Sequence, residues 1–120
     1  GMEFGSIDPR KLGQPYRYMF GMTIDVPNAR DGVIRVDNKT GKVDSWYVEG
    51  RMRLGEPTFV PRSAKAREGD GFVIVQAYDG DSHTSDWMVF DTKKLADGPV
   101  CRAHLDHHIP SAFHGTWVPA

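Results

Sequence analysis

The sequence predicts an all-β protein made of short antiparallel strands, and three observations favour this fold class. The 120 residues include 13 glycines and 8 prolines, spread along the chain, which leave little room for long helices. The longest strongly apolar run covers only residues 72–75, and turn residues separate such runs. Two stretches of the chain also repeat at a spacing near 50 residues, which is typical of adjacent units of about four short strands.

The first half of the chain predicts a hairpin preceded by one strand. Residues 16–23 mix aromatic residues with methionine and threonine, a composition typical of strands. Residues 33–36 form the next predicted strand. The sequence Asp-Asn-Lys-Thr-Gly at 37–41 has the composition of a turn, so residues 43–48 are predicted as the returning strand. Residues 1–6 are either a remnant of tag removal or the start of the domain, and no strand is predicted there.

The second half predicts the same order of elements. A strand at 58–60 ends at Pro61 and is followed by a polar, exposed loop at 62–70. Three further strands are predicted, at 72–78, 87–90 and 100–105, with a polar loop at 79–85.

The internal repeat is visible in two pairs of segments. Residues 36–39 resemble 90–93 at an offset of 54, with a Gly and a Val following in both, and residues 56–61 align with 114–119 at an offset of 58. A period of this length favours β-propeller blades, although two hairpin-rich parts of a β-sandwich could share the same turn residues. Propellers close with 4–8 blades and this chain holds about two, so we expect exposed sheet edges and self-association through them.

Composition excludes several classes of partner. With 15 basic and 16 acidic residues, the net charge is -1 and gives no electrostatic footprint for nucleic acid. No apolar stretch approaches the length of a membrane-spanning helix.

The single cysteine, Cys101, rules out an internal disulfide and is predicted to be a small core residue. We expect a soluble, cytoplasmic protein.

Glu56 and His114 hold the same position in the repeat, at the start of equivalent strands. If the two units are blades around one axis, both side chains point towards the same central region. A metal site would suit this pair, with histidine as ligand and glutamate as the acceptor that fixes its tautomer. The alternative is that Glu56 caps a loop and His114 is an ordinary hydrogen-bonded histidine.

Several motifs resemble one enzyme family. These are Phe-His-Gly-Thr-Trp at 113–117, Gly-Glu-Pro at 55–57, Pro-Tyr-Arg-Tyr at 15–18 and Glu-Phe at 3–4. In this order and spacing they are similar to the last third of the carotenoid cleavage oxygenases, a family that includes the lignostilbene dioxygenases and the retinal pigment epithelial membrane protein.

The resemblance implies a fold and a chemistry. It implies a seven-bladed β-propeller, of which residues 7–120 would be about the last two blades, with Fe(II) held on the axis by four histidines. Members of the family use O2 to split a conjugated C=C bond of a carotenoid, apocarotenoid or stilbene into two carbonyl products. By resemblance, His114 matches the last iron ligand and Glu56 a glutamate that supports a ligand. Glu3 matches another such glutamate if it is native sequence.

A second hypothesis belongs to a different class of function. Only His114 lies in a ligand motif, and three upstream ligands have no counterpart in this chain. The chain is therefore either the C-terminal part of an Fe(II) dioxygenase or a truncated β module that has lost catalysis and acts as a binding or self-assembling element. In either case we expect the 120 residues alone to hold little iron and to be inactive.

Overall fold

Two antiparallel sheets make up the protein in a computed structural model that describes residues 1–111 and 115–118. The first sheet has four strands in chain order: β1 (Glu3–Ile7), β2 (Tyr18–Asp25), β3 (Arg30–Asp37) and β4 (Val43–Tyr47). The second sheet has five: β5 (Met52–Leu54), β6 (Thr58–Pro61), β7 (Gly71–Asp79), β8 (Thr84–Asp91) and β9 (Cys101–His104). The predicted all-β class is confirmed.

The repeat corresponds to the order of strands in the two sheets. Strands β2, β3 and β4 form a meander, and β7, β8 and β9 form a second one. The pair Tyr18 and Asp37 in the first sheet and the pair Phe72 and Asp91 in the second occupy equivalent register positions, 54 residues apart. In both sheets, further strands pair with the outer edge of the first meander strand. Strand β1 pairs with β2 in the first sheet, and β5 and β6 both pair with β7 in the second.

The remaining described segments are short. Single 3-10 turns occur at Pro9–Lys11, Val26–Asn28 and Leu95–Asp97. The loop at 62–70 is mostly exposed, as predicted, and Arg10 holds it to the start of the chain by donating from Nη1 to the carbonyl oxygens of Ala64 and Ala66, each at 3.0 Å. Within residues 1–111 and 115–118, no helix is long and apolar enough to cross a membrane.

The core lies between the facing sides of the two sheets. Phe20 of the first sheet stacks on Phe59 of the second, with ring centroids 5.0 Å apart and planes 6° from parallel. Trp46 meets Phe90 in the same layer, at 5.2 Å between centroids. Fully burying a phenylalanine side chain, as at Phe20 and Phe90, contributes about 1.5–3 kcal/mol to stability. The hydrophobic layer therefore holds the two sheets together.

Three features differ from the sequence-based predictions. Strands β1 and β5 were not predicted, since β1 is irregular and β5 has only three residues. Strand β1 continues from residues 1–6 into the segment that starts at residue 7, so the sequence-based division at residue 6 falls inside a strand. Whether residues 1–6 are a tag remnant or native sequence stays a prediction. Cys101 is exposed and not part of the core, because β9 is an edge strand whose four residues all face solvent.

Candidate functional site

Three segments that are distant in the sequence line one cavity of about 300 Å³. The first comes from β1 and the residues after it, the second from the start of β6, and the third from residues 115–117. The first two segments belong to neighbouring edge strands of the two sheets, and the third follows His114 directly. Parts of three of the four motifs identified in the sequence therefore meet at this cavity.

Glu56 stands in a break between β5 and β6, which otherwise follow one path along β7. Leu54 pairs with Ala77 and Thr58 pairs with Ile74. The chain therefore advances four residues from β5 to β6 while the paired strand β7 advances only three. The extra residue is a local bulge, a device that re-aims a side chain at many active sites. Pro57 supports the break because it has no N–H to donate to the ladder.

The bulge directs the Glu56 carboxylate into a shielded position. Glu56 lines the cavity, and its Oε1 has almost no contact with solvent. A buried carboxylate oxygen is a strong acceptor for an N–H group such as that of an imidazole. The geometry of Glu56 therefore fits the task of orienting a histidine ligand.

The same irregularity occurs in β1, next to Glu3. Glu3 pairs with Met22 and Ser6 with Phe20, so β1 also carries one extra residue, and Phe4 adopts a φ of 53°. Glu3 does not reach the cavity that Glu56 lines. It borders a separate hollow together with Gly1, Met2 and Met22 among others. The structure thus does not bring Glu3 and Glu56 into one cavity.

His114 lies outside the described residues, so its role as a ligand stays a prediction. The residue that follows it is placed beside β6: a Cβ built on Gly115 would be 3.8 Å from Thr58 Oγ1. Gly115, Thr116 and Trp117 line the same cavity as Glu56.

The cavity wall is fixed by a contact between the sheets. The backbone N–H of Phe59 donates to Ser6 Oγ at 3.1 Å, which ties β6 to β1. The stack of Phe59 on Phe20 reinforces the same junction. Since both strands contribute lining residues, movement of one sheet against the other would change the cavity.

An ionised carboxylate lies next to this wall. Burial by itself raises the pKa of Asp8, but hydrogen bonds from the side chain and backbone of Arg10 outweigh it and bring the pKa below its usual value. The distance from Arg10 Nε to Asp8 Oδ1 is 2.9 Å. Asp8 therefore stays charged at neutral pH, between the cavity-lining residues Ile7 and Pro9.

Three of the four histidines in the described part of the chain have other polar partners, and the fourth, His108, contacts the ring of His83. His104 Nδ1 lies 2.8 Å from Asp86 Oδ1, His107 Nδ1 lies 2.6 Å from Asp106 Oδ1, and His83 Nδ1 lies 2.6 Å from Tyr78 Oη. Among residues 1–111 and 115–118, no three His, Cys, Asp or Glu side chains are grouped so that they could hold a metal ion. Within the described part of the chain, Glu56 therefore fits the role of hydrogen-bond acceptor for a metal ligand, and any ligand that it supports, His114 included, would lie outside the described residues.

Some lining residues were not among the candidate site residues of the sequence, although motifs or the repeat contain them. Phe4, Thr58 and Trp117 all border the cavity. One signal was present, because Thr58 and Thr116 align in the repeat at the same offset as Glu56 and His114. Phe4 belongs to the Glu-Phe motif at 3–4, but its place in the cavity wall depends on the bulge in β1.

Comparison with known proteins gives consistent matches along the chain. The family model "Retinal pigment epithelial membrane protein" matches residues 1–119. The lignostilbene-alpha,beta-dioxygenase isozyme III of Sphingomonas paucimobilis is 36% identical over 130 aligned residues, covering 98% of this chain and 26% of that protein.

Solved structures show the same relation. The lignostilbene dioxygenase of Pseudomonas brassicacearum matches with a TM-score of 0.91 and 28% identity, covering 99% of this chain and 27% of the other. Cobalt-substituted apocarotenoid oxygenase of Synechocystis matches with a TM-score of 0.90 and 28% identity, over 99% of this chain and 26% of the other.

This chain thus spans about a quarter of the length of these relatives, and its two sheets match part of their β-propeller fold. The motifs, the paired sheets and the match over residues 1–119 agree with one another. The chain belongs to the carotenoid cleavage oxygenase family, the family of the retinal pigment epithelial membrane protein.

Proposed function

We propose that this chain is the C-terminal part of a non-haem Fe(II) dioxygenase that cleaves a conjugated C=C bond with O2 to give two carbonyl products. A carotenoid, an apocarotenoid or a stilbene would be the substrate. In this proposal the two sheets are the last two blades of a seven-bladed propeller. Iron, when bound, would supply the activation of O2.

The observation that best supports the proposal is the cavity in which Glu56 and the residues after His114 meet. In a chain that belongs to this family, His114 would bind the metal through a ring nitrogen. Glu56 would accept a hydrogen bond from the other ring nitrogen, fix the tautomer and offset part of the charge of the metal. Glu3 would act in the same way on a histidine from outside this chain.

The test is the iron content of the complete oxygenase that carries this chain. His114→Ala should lose most of the iron and the cleavage activity, and Glu56→Gln should weaken metal binding by about 10–100-fold, the usual effect of losing such an acceptor. His107→Ala is the matched control, because His107 contacts Asp106 at the surface. An His114→Ala protein that retains its iron would refute the ligand assignment.

A second candidate function is a binding or self-assembling module without catalysis. The face of the second sheet that points away from the first supports it. Trp87 is 41% exposed on that face, and Phe72 and Ile74 lie on the same side of the sheet. Iron analysis and an olefin-cleavage assay separate the two candidates: turnover by the complete protein supports the dioxygenase, and its absence supports the module.

A further inference from the structure

Two histidines that are distant in the sequence come together at the tip of the β7–β8 hairpin. The ring centroids of His83 and His108 are 4.6 Å apart, and the ring planes are tilted by 32° to each other. Both residues are exposed to solvent. Neither of them lines the cavity beside Glu56, so the candidate site described above does not explain why they meet.

The hairpin turn fixes the position of His83. Its backbone N–H donates to Asp79 O at 3.0 Å, and its φ of 58° lies in the left-handed region. The ring Nδ1 lies 2.6 Å from Tyr78 Oη. When Nδ1–H donates to this hydroxyl oxygen, the lone pair of Nε2 is free, which is the tautomer that a metal ligand needs.

The backbone of His108 is held on both sides by one residue of the same hairpin. The Ser85 N–H donates to His107 O at 3.0 Å, and Ser85 Oγ accepts from Ile109 N at 2.9 Å. Ser85 is fully buried, so solvent does not compete for these two bonds. Both imidazoles are therefore attached to backbone that the β7–β8 hairpin holds in place, and the pairing with His83 does not depend on a loose segment.

A pair of imidazoles in this arrangement suits a divalent transition metal ion. A Zn–N bond is about 2.0–2.1 Å long, so two ligand nitrogens on one zinc ion lie at most about 4 Å apart. Exposed rings with centroids at 4.6 Å reach that separation by small rotations about side-chain bonds. Imidazole nitrogen favours Zn(II) and its neighbours in the first transition row over Mg(II) and Ca(II), which prefer oxygen ligands.

We propose that His83 and His108 form an open surface site for a divalent transition metal ion, with Zn(II) as the representative ligand. Each histidine supplies one ring nitrogen, and water completes the coordination. Tyr78 is a positioning residue that orients the ring of His83. This site does not require the proposed function, because all three side chains are described and none of them lines the cavity beside Glu56.

The experiment titrates zinc chloride into the complete protein that carries this chain, labelled with 15N at histidine. Calorimetry measures the zinc affinity, and NMR follows the ring nitrogens of the individual histidines. His83→Asn and His108→Asn each remove one imidazole, and asparagine tolerates the left-handed backbone at residue 83. His107→Asn is the matched control, since His107 adjoins His108 but its Nδ1 lies 2.6 Å from Asp106 Oδ1.

In the wild type, the ring nitrogens of His83 and His108 should shift together as zinc is added. Each asparagine variant should bind zinc at this site about tenfold or more weakly, because a chelate becomes a single contact. The remaining ring should then no longer shift at the same zinc concentration. His107→Asn should match the wild type. Tyr78→Phe should weaken zinc binding about tenfold, the effect of losing the partner that orients a ligand.

The site is refuted if only one of the two rings, or neither, shifts at saturating zinc, or if either asparagine variant keeps the wild-type affinity. Unchanged affinity in Tyr78→Phe refutes the orienting role of Tyr78. Circular dichroism checks the fold of each variant, and His108→Asn decides the matter if His83→Asn does not fold.

His114→Ala separates this site from the proposed function. The zinc response of His83 and His108 should persist in His114→Ala, and its loss would show that the response arises at His114 and refute the surface site. Retention of iron by His114→Ala would refute the ligand assignment of His114 in the proposed function and leave the pair of His83 and His108 supported by its own zinc response.

Discussion

Asp37 illustrates how one side chain closes a hairpin and joins it to a neighbouring strand. Its Oδ1 accepts from Lys39 N at 3.0 Å within the turn. Arg17 donates to the same carboxylate from Nε at 2.8 Å and from Nη2 at 2.6 Å. These hydrogen bonds, those from Arg17 above all, hold the pKa of Asp37 well below its usual range.

The low pKa of Asp37 predicts a specific pH dependence of stability. Because the carboxylate is favoured in the folded state, its contribution is complete above the ordinary carboxyl pKa of about 4 and is lost as the pH falls towards the folded-state value. Asp37→Asn should therefore lower the urea midpoint at neutral pH, and the gap from the wild type should shrink below about pH 4. The control Glu49→Gln changes an exposed side chain and should show no such gap. A gap that persists unchanged in acid would contradict the charge-based explanation.

The turn at Asp37 was predictable from its sequence, but the contact with Arg17 was not. Turn composition is local, whereas the ion pair requires the register that places Tyr18 opposite Asp37. The same distinction holds for the candidate site. The motifs identified Glu56 and His114, whereas the bulge that places Glu56 at the cavity depends on how β5 and β6 pair with β7.

At the scale of elements, Gly41 and Gly69 form a natural matched pair. Both are left-handed, with φ of 73° and 74°. A Cβ on Gly41 would meet nothing within 4 Å, whereas one on Gly69 would lie 2.2 Å from Tyr18 Cδ2. The Tyr18 ring cannot yield easily because the Arg35 guanidinium covers it, 4.4 Å from the ring centroid.

The two glycines predict different losses of unfolding free energy when each is replaced by alanine. Gly41→Ala should lower the free energy of unfolding by about 1 kcal/mol, the cost of a left-handed backbone for alanine. Gly69→Ala should cost about 1–3 kcal/mol more, because the added methyl group displaces the ring of Tyr18. Urea denaturation of both variants measures the difference directly. Equal costs would show that the loop at 62–70 moves away from β2 without penalty.

The strands that the sequence predicts carry a local apolar pattern, and β1 and β5, which it does not predict, lack one. The meander strands have alternating or continuous apolar residues between turn sequences, so their pattern is local. Strands β1 and β5 gain their conformation by pairing with β2 and β7, and each adjoins a bulge that breaks the alternation. The bulges are the features that distinguish the candidate site from an ordinary sheet edge.

At the scale of the whole molecule, the two faces of the second sheet differ in their surroundings. Val73, Val75 and Phe90 point into the core against the first sheet. Successive residues of a strand alternate between faces, so Ile74 and Trp87 point the other way, and Trp87 is 41% exposed there. An exposed apolar face of this kind is typical of a surface on which another chain or domain packs.

We predict that the isolated chain uses this face to self-associate. It should sediment as a dimer or larger species at tens of micromolar, because association buries the Trp87 ring and its apolar neighbours. Trp87→Lys should shift the distribution towards monomer, since a charge would have to be buried in the contact. The control Val26→Lys removes an apolar residue that is 79% exposed in a turn and should leave the distribution unchanged. A wild-type chain that stays monomeric at every concentration tested by sedimentation velocity would contradict the prediction, because it would show that exposure of this apolar face does not drive association.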